Sequence, residues 1–416
     1  MKNVFYDSYL ILNKVYGEGA YLKQAMLSVP VAERDRPAVT KICYGVIEKD
    51  ILLSYYISCL CDKNPKLVVR TILKIAMYNI KFLNKAPYAV TDTAVELCNK
   101  LGKKGVSGFV NAFLRKFVKT GDIPLPDDEI SRLSLKYDFP VFAVQELIKD
   151  YGKDTAESIM AAPPEKTHVA FLNVEDGVKY LTDKGILFEI TPYVNTFSVE
   201  RFVRNKDYDD GIYTFQSIGS AAICDAIDGG GTLLDACAAP GGKSVFLSQK
   251  FESVTACEIH EHRAELIESY ARRMKIDNIR VSVEDSSVYN SNYASRFDAV
   301  LCDVPCSGFG VLKNNPDVKL KKTIETVKEL SELQKKILLN CAEYVKPGGM
   351  LYYSTCTYFS AECEDNVEWF LSRNKAFMPH VICSKIPCIK KKFGVQYLPD
   401  ISYGAGFYLC AFERVK

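Results

Sequence analysis

Two cysteines stand in short motifs that suit nucleophilic chemistry. Cys306 lies in Asp303-Val-Pro-Cys-Ser-Gly308, and Cys356 lies fifty positions later in Ser354-Thr-Cys-Thr357. A thiolate that adds to carbon 6 of cytosine turns the ring into an enamine, which makes carbon 5 reactive toward an electrophile. One thiol is enough for that addition. The second therefore indicates a separate task in the same reaction.

A glycine-rich loop precedes both cysteines. It reads Asp235-Ala-Cys-Ala-Ala-Pro-Gly-Gly-Lys243 and lies between a strand-like run, TLLDAC, and a helix-like run, SVFLSQK. A Walker phosphate loop would have glycine where Cys237 stands, and the GxGxxG spacing of dinucleotide sites is absent. The loop instead resembles an S-adenosylmethionine site. Such a cofactor would provide a methyl group for a pyrimidine carbon.

Acidic residues follow the next strand-like runs. Glu258 ends VTAC, roughly twenty residues past the loop, where a carboxylate can accept both ribose hydroxyls. Asp285 follows IRVSV, where it would meet an adenine edge, and Asp303 follows FDAVLC. A single acid at a strand end is usually an ordinary surface carboxylate. Three in register after a glycine loop favour a cofactor that contains a nucleoside.

The elements that position these residues alternate between strand and helix. From about Ile212 onward the runs are typical of a doubly wound parallel sheet, which binds ligands beyond the carboxyl ends of its strands. A fifth run, GGMLYYS, leads to Cys356, and Pro305 stiffens the turn before Cys306. A thiol with a pKa near ~8.5 needs positive surroundings to attack as a thiolate. A bound sulfonium and Lys243 would supply them.

The preceding chain divides into two parts, which gives a multidomain protein. Residues 1–125 have apolar residues at three- and four-residue steps and predict an all-α bundle. Prolines and acids in residues 120–128 indicate a linker. Residues 126–212 predict more helix to about Met160 and then, after two prolines, a small α/β linking module. Residues 213–416 form the third, α/β Rossmann-like domain.

The composition is that of an ordinary globular protein, with 48% hydrophobic and 25% charged residues among 416. No run approaches the roughly 18 apolar residues of a membrane helix, and no secretory signal is evident. We therefore expect a cytosolic protein without a membrane partner. The fifteen cysteines are odd in number and scattered, so most should be reduced and inert, as we expect for Cys59, Cys98 and Cys224. Paired CxxC motifs are absent and histidines are only four, so we expect no metal.

The net charge of +2 hides a basic segment. Eleven basic residues and two acids lie between Lys66 and Lys119. Such an excess suits a polyanion partner, although solvated helix faces would give the same count. The four-residue spacing of Lys66, Arg70 and Lys74, and the glycine-flanked turn at Lys103 and Lys104, favour the polyanion.

At the catalytic motifs the chain resembles a known enzyme superfamily. Residues 213–416 resemble the S-adenosylmethionine-dependent RNA 5-methylcytosine methyltransferases, and the whole chain resembles their bacterial Sun/RsmB branch. That branch methylates a cytosine of small-subunit (16S) ribosomal RNA. The resemblance implies that Glu258 holds the ribose of S-adenosylmethionine, that Asp285 contacts the adenine end and that Asp303 lies between cofactor and base. The implied cofactor loop consists of Cys237, Ala238, Ala239, Pro240, Gly241, Gly242 and Lys243.

The same resemblance assigns the two thiols. It implies that Cys356 is the nucleophile and that Cys306 assists release of the methylated product. DNA cytosine methyltransferases use the Pro-Cys cysteine as nucleophile and do not need Cys356, so two thiols favour an RNA substrate. The string Glu364-Asp-Asn-Val367 is similar to a DNA-enzyme motif, but it follows Cys356 on a predicted helix, and we interpret it as coincidence.

The amino-terminal part independently resembles the helical RNA-binding fold of the antitermination factor NusB. The segments DRPAVTKICYGVIEKDILLSYYI, VVRTILKIAMYNIKFL, APYAVTDTAVELCNK and GFVNAFLRKF carry this resemblance. Fusion of this fold to the catalytic domain is the arrangement of the Sun/RsmB branch and favours 16S rRNA as the substrate. RNA enzymes of this size are often monomers, so we expect a monomer. The implied RNA-binding residues are Lys66, Arg70, Lys74, Lys103, Lys104, Arg115, Lys313 and Lys319.

The chain departs from the family pattern at several places. No aspartate follows Gln216, Glu258 replaces a commoner aspartate, and Gly404-Ala-Gly-Phe407 lacks an aspartate before Gly-Phe. Asn314 and Asn315 stand where relatives often have basic residues, which predicts weaker RNA contact there. Cys306, Asp303 and Cys356 are all retained.

Two alternatives stay open. The same catalytic domain would suit transfer RNA or large-subunit rRNA, because the cofactor loop does not read the substrate. In another class, the chain would be a non-catalytic RNA-binding factor in ribosome assembly or antitermination, with a vestigial site. The intact motifs argue against that loss.

Overall fold

The computed structural model describes residues 2–172, 174–193, 195–200, 202 and 204–415. The chain forms two compact units. The first contains Met1–Met160 and Asn315–Lys321, and the second contains Ala161–Asn314 and Lys322–Lys416. The first unit is therefore built from two separate stretches of sequence.

The first unit is all-helical, as the apolar periodicity predicts. Helix α5 is buried on nearly all sides from Val69 to Asn79, which makes it the centre of the core. Asp128 caps the start of α8 by accepting a hydrogen bond from the Ser131 N–H. The helices are α1 (Lys2–Gly17), α2 (Leu22–Ser28), α3 (Arg36–Glu48), α4 (Asp50–Leu60), α5 (Leu67–Lys81), α6 (Pro87–Lys100), α7 (Ser107–Thr120), α8 (Glu129–Tyr137), α9 (Val141–Tyr151) and α10 (Lys153–Ala161).

The inserted stretch Asn315–Lys321 contains a 3₁₀ turn, Pro316–Leu320. Leu320 packs against the core of the first unit. The Asp317 carboxylate accepts a hydrogen bond from the Leu22 N–H at the start of α2. Seven residues that follow the Pro-Cys motif in sequence thus complete the helical unit.

The second unit begins with the predicted small α/β module. Its sheet has the order β2-β3-β1-β4, with each neighbouring pair antiparallel. Its core is aromatic and includes Phe171, Phe197 and Tyr213. The elements are β1 (Thr167–Ala170), α11 (Val174–Asp183), β2 (Phe188–Ile190), β3 (Thr196–Val199), α12 (Lys206–Asp209) and β4 (Thr214–Phe215).

A larger sheet follows, in the order β11-β12-β13-β9-β8-β5-β6-β7, and β10 also pairs with β13. Its strands are β5 (Gly230–Asp235), β6 (Phe251–Glu258), β7 (Ile279–Val283), β8 (Phe297–Asp303), β9 (Val345–Thr355), β10 (Phe377–His380), β11 (Ile389–Lys390), β12 (Val395–Tyr397) and β13 (Phe407–Arg414). Its helices are α13 (Ile218–Ala226), α14 (Gly242–Leu247), α15 (Glu261–Arg273), α16 (Ile324–Tyr344) and α17 (Glu364–Arg373).

Apolar side chains cover both faces of this sheet. Successive residues of β5 point to opposite faces, so Leu233 joins the core beside α13 and Leu234 joins the core beside α16 and α17. The predicted fold class is confirmed: an all-α part, a small α/β module and a doubly wound α/β domain. Among the described helices, none combines the length and apolar character that a membrane crossing requires.

The predicted parallel sheet forms one side of a mixed sheet. The five strands β5 to β9 are parallel, whereas β10 to β13 are added antiparallel. Antiparallel neighbours can be joined by short loops without a crossover helix. The chain after α17 uses such loops, so strand and helix runs no longer alternate there.

Candidate active site

The predicted site residues lie at the carboxyl edge of the parallel strands. Asp235, Glu258 and Asp303 are the last residues of β5, β6 and β8. Strand β9 ends at Thr355, directly before Cys356. Asp303 is aligned with Ser354 in the pairing of β8 and β9. This edge is where an open α/β sheet binds its ligands.

The two motif cysteines are in direct contact. The Sγ atoms of Cys306 and Cys356 lie 3.0 Å apart, and the Cys356 N–H donates to the Cys306 Sγ at 3.3 Å. Both side chains are half-buried and are free thiols, since a disulfide would need about 2.05 Å. The hydrogen bond with the Cys356 thiol, followed by burial, raises the pKa of Cys306 well above its ordinary value. Cys306 is therefore held as a neutral thiol beside Cys356.

Asp303 is fixed through both carboxylate oxygens. Oδ2 lies 2.6 Å from the Lys243 Nζ, and Oδ1 accepts a hydrogen bond from the Ser354 hydroxyl at 2.6 Å. Burial works against the charge of Lys243, but the attraction and hydrogen bond of Asp303, together with the neighbouring Cys224 and Asp235, raise the lysine pKa. From the sequence, Lys243 is predicted to provide a positive field for the attacking thiol. The ion pair instead places that charge on Asp303.

Glu258 is buried and tied to the glycine-rich loop. Its carboxylate contacts the Arg263 guanidinium at 3.2 Å and accepts from the His260 N–H at 3.1 Å. Arg263 also donates to the Ala239 carbonyl at 3.2 Å. Arg263 is not among the residues predicted from the sequence. Its position in the first turn of α15, directly after the acid-bearing strand, is a signal that could have found it.

Asp285 lies in the loop after β7, where its Oδ1 accepts from the Ser287 N–H at 2.9 Å and the Ser287 hydroxyl at 2.7 Å. The neighbouring Ser286 hydroxyl donates to the Ala236 carbonyl at 2.6 Å. That bond joins the Asp285 loop to the start of the glycine-rich loop. The predicted cofactor residues are thus brought around one loop.

Two further buried side chains near this loop have unsatisfied polar atoms. Asp235 accepts from the Ser244 hydroxyl at 2.6 Å through Oδ2, but its Oδ1 has no partner among the described residues. Burial raises the pKa of Asp235 to about 6. The Nε2 of Gln216 is likewise without a partner in the described part of the chain. Unsatisfied buried atoms of this kind fit a site that a polar ligand completes.

The glycines of the loop allow close approach. Gly241 has φ 102°, and a Cβ there would lie 3.2 Å from the Cα of Ile267. A Cβ at Gly242 would lie 3.2 Å from the Gln216 Oε1. Gln216 therefore borders the loop, although the family pattern had drawn attention only to the residue after it.

Most of the predicted RNA-binding residues are accessible, and two are not. Lys66, Lys103, Lys104 and Arg115 are exposed, and Arg70 and Lys313 are half-buried. Lys74 is buried, with its Nζ 2.5 Å from the Asp50 carboxylate. The prediction that Lys74 lies on an RNA-binding face is therefore wrong. Nearly every position around the middle of α5 is buried, so four-residue spacing did not identify a surface there.

The prediction that Lys319 binds RNA is also wrong. Lys319 is buried in the first unit, with its Nζ 3.3 Å from the Asp138 Oδ1 and donating to the Glu48 and Asp138 carbonyls. These acceptors satisfy the ammonium group, so it is not presented to RNA. Within the described ranges, no group of three or more His, Cys, Asp or Glu side chains is arranged to hold a metal ion.

Comparison with known proteins gives two family matches. Residues 223–413 match the family "16S rRNA methyltransferase RsmB/F", and residues 10–119 match the NusB family. The chain has a TM-score of 0.85 with the crystal structure of PH0851, at 21% identity, covering 99% of this chain and 98% of the other. This likeness supports the fold, and the NusB-like and Rossmann-like predictions are confirmed.

Two curated relatives extend over nearly the whole chain. The "Probable ribosomal RNA small subunit methyltransferase B" of Bacillus subtilis (strain 168) is 30% identical over 94% of each chain. The "Ribosomal RNA small subunit methyltransferase B" of Xanthomonas campestris pv. campestris is 28% identical, covering 87% of this chain and 86% of the relative. The predicted family is confirmed. The chain belongs to the RsmB/F family of 16S rRNA methyltransferases.

Proposed function

We propose that the protein methylates carbon 5 of a cytosine in 16S rRNA, using S-adenosylmethionine and a covalent bond between Cys356 and carbon 6. The observation that carries this proposal is the pair of thiols 3.0 Å apart at the strand edge that also bears Asp303. Membership of the RsmB/F family and the names of its relatives support rRNA as the substrate. The NusB match supports an RNA-binding role for the first unit.

The residues around the glycine-rich loop fit S-adenosylmethionine. The loop from Cys237 to Lys243 would hold the cofactor, with Glu258 at the ribose and Asp285 toward the adenine. The unsatisfied Asp235 Oδ1 and Gln216 Nε2 beside this loop agree with a polar ligand there. When bound, the cofactor supplies an electrophilic methyl group on a sulfonium.

The protein's own residues perform the remaining steps. Cys356 attacks carbon 6 of an unstacked cytosine, so that a sulfur–carbon bond forms and the ring electrons become available at carbon 5. Asp303, held by Lys243 and Ser354, accepts a hydrogen bond from the amino group at the pyrimidine edge and orients the ring for the attack. After methylation, loss of the carbon 5 proton to a base expels the Cys356 thiolate and restores the aromatic ring.

Cys306 assists this release as a neutral thiol. The raised pKa of Cys306 and its contact with Cys356 support a role in proton donation or exchange at the departing sulfur. Two thiols in direct contact suit two successive tasks. They also suit Cys356, at the end of β9, as the nucleophile.

The test is trapping of RNA on the Cys306→Ala variant. The variant is expressed in a bacterial host and purified under denaturing conditions, and the RNA that stays covalently attached is sequenced. We expect 16S rRNA joined at one cytosine. The double variant Cys306→Ala/Cys356→Ala is the matched control and should retain no RNA.

Other outcomes separate the alternatives. Attached transfer RNA or large-subunit rRNA would keep the chemistry and overturn the substrate. Normal turnover without attached RNA would overturn the thiol roles. Absence of S-adenosylmethionine binding by calorimetry would support a non-catalytic RNA-binding factor. We further propose a monomer that acts in the cytosol, which light scattering and cell fractionation would test.

A further inference from the structure

A buried polar network lies behind the two cysteines, on the side of α16 and α17. At its centre are Glu362, in the turn before α17, and Gln334, in the middle of α16. Both side chains have no exposed surface. Buried polar groups cost free energy unless they are paired, so a network at this depth calls for a reason.

The network holds the backbone on both sides of Cys306. The Gln334 Nε2 donates to the Pro305 carbonyl at 2.9 Å, and the Ser307 N–H donates to the Glu362 Oε1 at 2.8 Å. Gln334 also donates to the same Glu362 oxygen at 3.0 Å. The two residues that flank Cys306 are thus fixed by two side chains that contact each other.

The same network reaches the Cys356 loop. The Ser307 hydroxyl donates to the Thr357 hydroxyl at 3.0 Å, and Thr357 directly follows Cys356. The Tyr353 hydroxyl, near the end of β9, donates to the Glu362 carbonyl at 2.7 Å. One set of hydrogen bonds therefore sets the positions of both motif loops relative to each other.

We infer that Glu362 and Gln334 are positioning residues that hold the Cys306 thiol against Cys356 for the release step. They touch no reacting atom, since both are completely buried. This inference rests on the proposed function, because it assigns Cys306 to release. A loop freed from these contacts would let the Cys306 thiol move from its 3.0 Å contact with Cys356.

The test is whether loss of these contacts reproduces the Cys306→Ala behaviour in part. Glu362→Met and Gln334→Met keep the side-chain length and remove the hydrogen bonds. We expect turnover to fall about ten- to a hundredfold, with covalently attached RNA accumulating on a denaturing gel and with S-adenosylmethionine affinity unchanged. Among the described residues only one Glu362 carboxylate oxygen accepts hydrogen bonds, so Glu362→Gln can still accept both bonds and should restore release.

A matched control lies in the same network. The Ser331 hydroxyl donates to Asn366 at 2.8 Å, and Asn366 contacts Gln334, but neither bond reaches a cysteine loop. Ser331→Ala should weaken the fold slightly without trapping RNA. Accumulation of attached RNA on Ser331→Ala equal to that on Glu362→Met would overturn the inference. If Glu362→Met does not fold, Gln334→Met, which frees the Pro305 carbonyl, carries the test.

Failure of this inference is distinguishable from failure of the proposed function. If Cys306→Ala traps RNA while Glu362→Met and Gln334→Met lose activity without trapping, the two residues only stabilise the fold. If Cys306→Ala itself traps nothing, the release role of that thiol is wrong.

Discussion

Two lysine–aspartate ion pairs, one in each compact unit, have the same charged groups but different surroundings. Lys243 and Asp303 lie 2.6 Å apart at the strand edge, with 15% and 23% of their side chains exposed. Lys319 and Asp138 lie 3.3 Å apart in the helical unit, with 3% of each side chain exposed. Both lysines stand out in the sequence as functional candidates. Only Lys243 lies beside the strand edge that carries the two cysteine motifs.

The surroundings separate the two pairs. Burial lowers the pKa of Lys319 in spite of Asp138, and burial raises the pKa of Asp138 in spite of Lys319. For Lys243 burial also opposes the charge, but the attraction and hydrogen bond of Asp303, with smaller contributions from Cys224 and Asp235, raise the lysine pKa. A fully buried pair is thus restricted to holding the fold, whereas a partly open pair keeps its charges within reach of a ligand.

Removing one member of the buried pair should have the largest effect. Lys319→Met leaves the Asp138 carboxylate buried without its cation, and we expect the free energy of unfolding to fall by about 3–5 kcal/mol. Urea unfolding measures the loss. Cofactor affinity of the folded variant should be unchanged.

The matched control removes both charges. Asp138 has φ 60°, a conformation that asparagine tolerates, so Lys319→Met/Asp138→Asn should recover most of the lost stability. A loss below about 1 kcal/mol for Lys319→Met alone would contradict the structural role of this pair.

The pair at the strand edge should respond in the opposite way. Asp303→Asn removes the carboxylate proposed to orient the cytosine and breaks the ion pair with Lys243, so kcat should fall about 10²-fold. The free energy of unfolding should change by only about 1 kcal/mol. Methyl incorporation and urea unfolding of one preparation give both values. If Asp303→Asn lost stability in proportion to its loss of activity, the proposed difference between the two ion pairs would be wrong.

Asp235 extends the comparison to a buried carboxylate whose hydrogen-bond donor is a hydroxyl. Burial raises its pKa from 3.8 to about 6, the Ser244 hydrogen bond opposing the rise. Between pH 3.8 and about 6, Asp235 therefore keeps a proton in the folded protein that it has lost in the unfolded chain. The contribution of Asp235 to stability is complete below its unfolded pKa and is lost as the pH rises through about 6.

The Asp235→Asn variant cannot titrate and isolates this effect. We expect its stability relative to the unsubstituted protein to increase between pH 4 and 7 and to level off above that window. Urea unfolding at several pH values is the measurement. A constant difference would show that Asp235 does not change protonation there.

The smallest effect is expected for exposed lysines. Removing Lys103 and Lys104 together should weaken RNA binding and reduce the salt dependence of binding by about one ion per lysine. Lys136→Ala/Lys153→Ala removes two exposed charges of the same unit outside the basic segment and serves as the control. Equal effects of both variants would mean that RNA responds to overall charge and not to this surface.

The sequence predicted the strand edge well because its signals are local. An acid or a cysteine directly after a strand-like run indicates where that strand ends. The positions of Glu258, Asp303 and Cys356 at strand ends can therefore be predicted without knowledge of the tertiary structure. The role of Lys319 was not predictable in this way. Its partner Asp138 lies 181 positions away, and a lysine after a proline and an aspartate reads as a surface residue.

The buried polar network behind the two cysteines was likewise not predictable from the sequence. Gln334 and Glu362 look like ordinary polar residues of helical runs, and only the packing of α16 and α17 against the cysteine loops gives them partners. The antiparallel edge of the sheet is also a product of tertiary pairing. Sequence periodicity reports which runs are strands but not the direction in which a late strand joins.

The split first unit has a consequence for the order of events during synthesis. Asn315–Lys321 leave the ribosome roughly 160 residues after Met160, which at 5–20 residues per second is a delay on the order of ten seconds or more. Until these residues have been made, Asp138 lacks its ion pair with Lys319, and the Leu22 N–H lacks its hydrogen bond to Asp317. The nascent helical unit therefore matures only after Ala161–Asn314 have been made, so its completion is tied to the synthesis of most of the second unit.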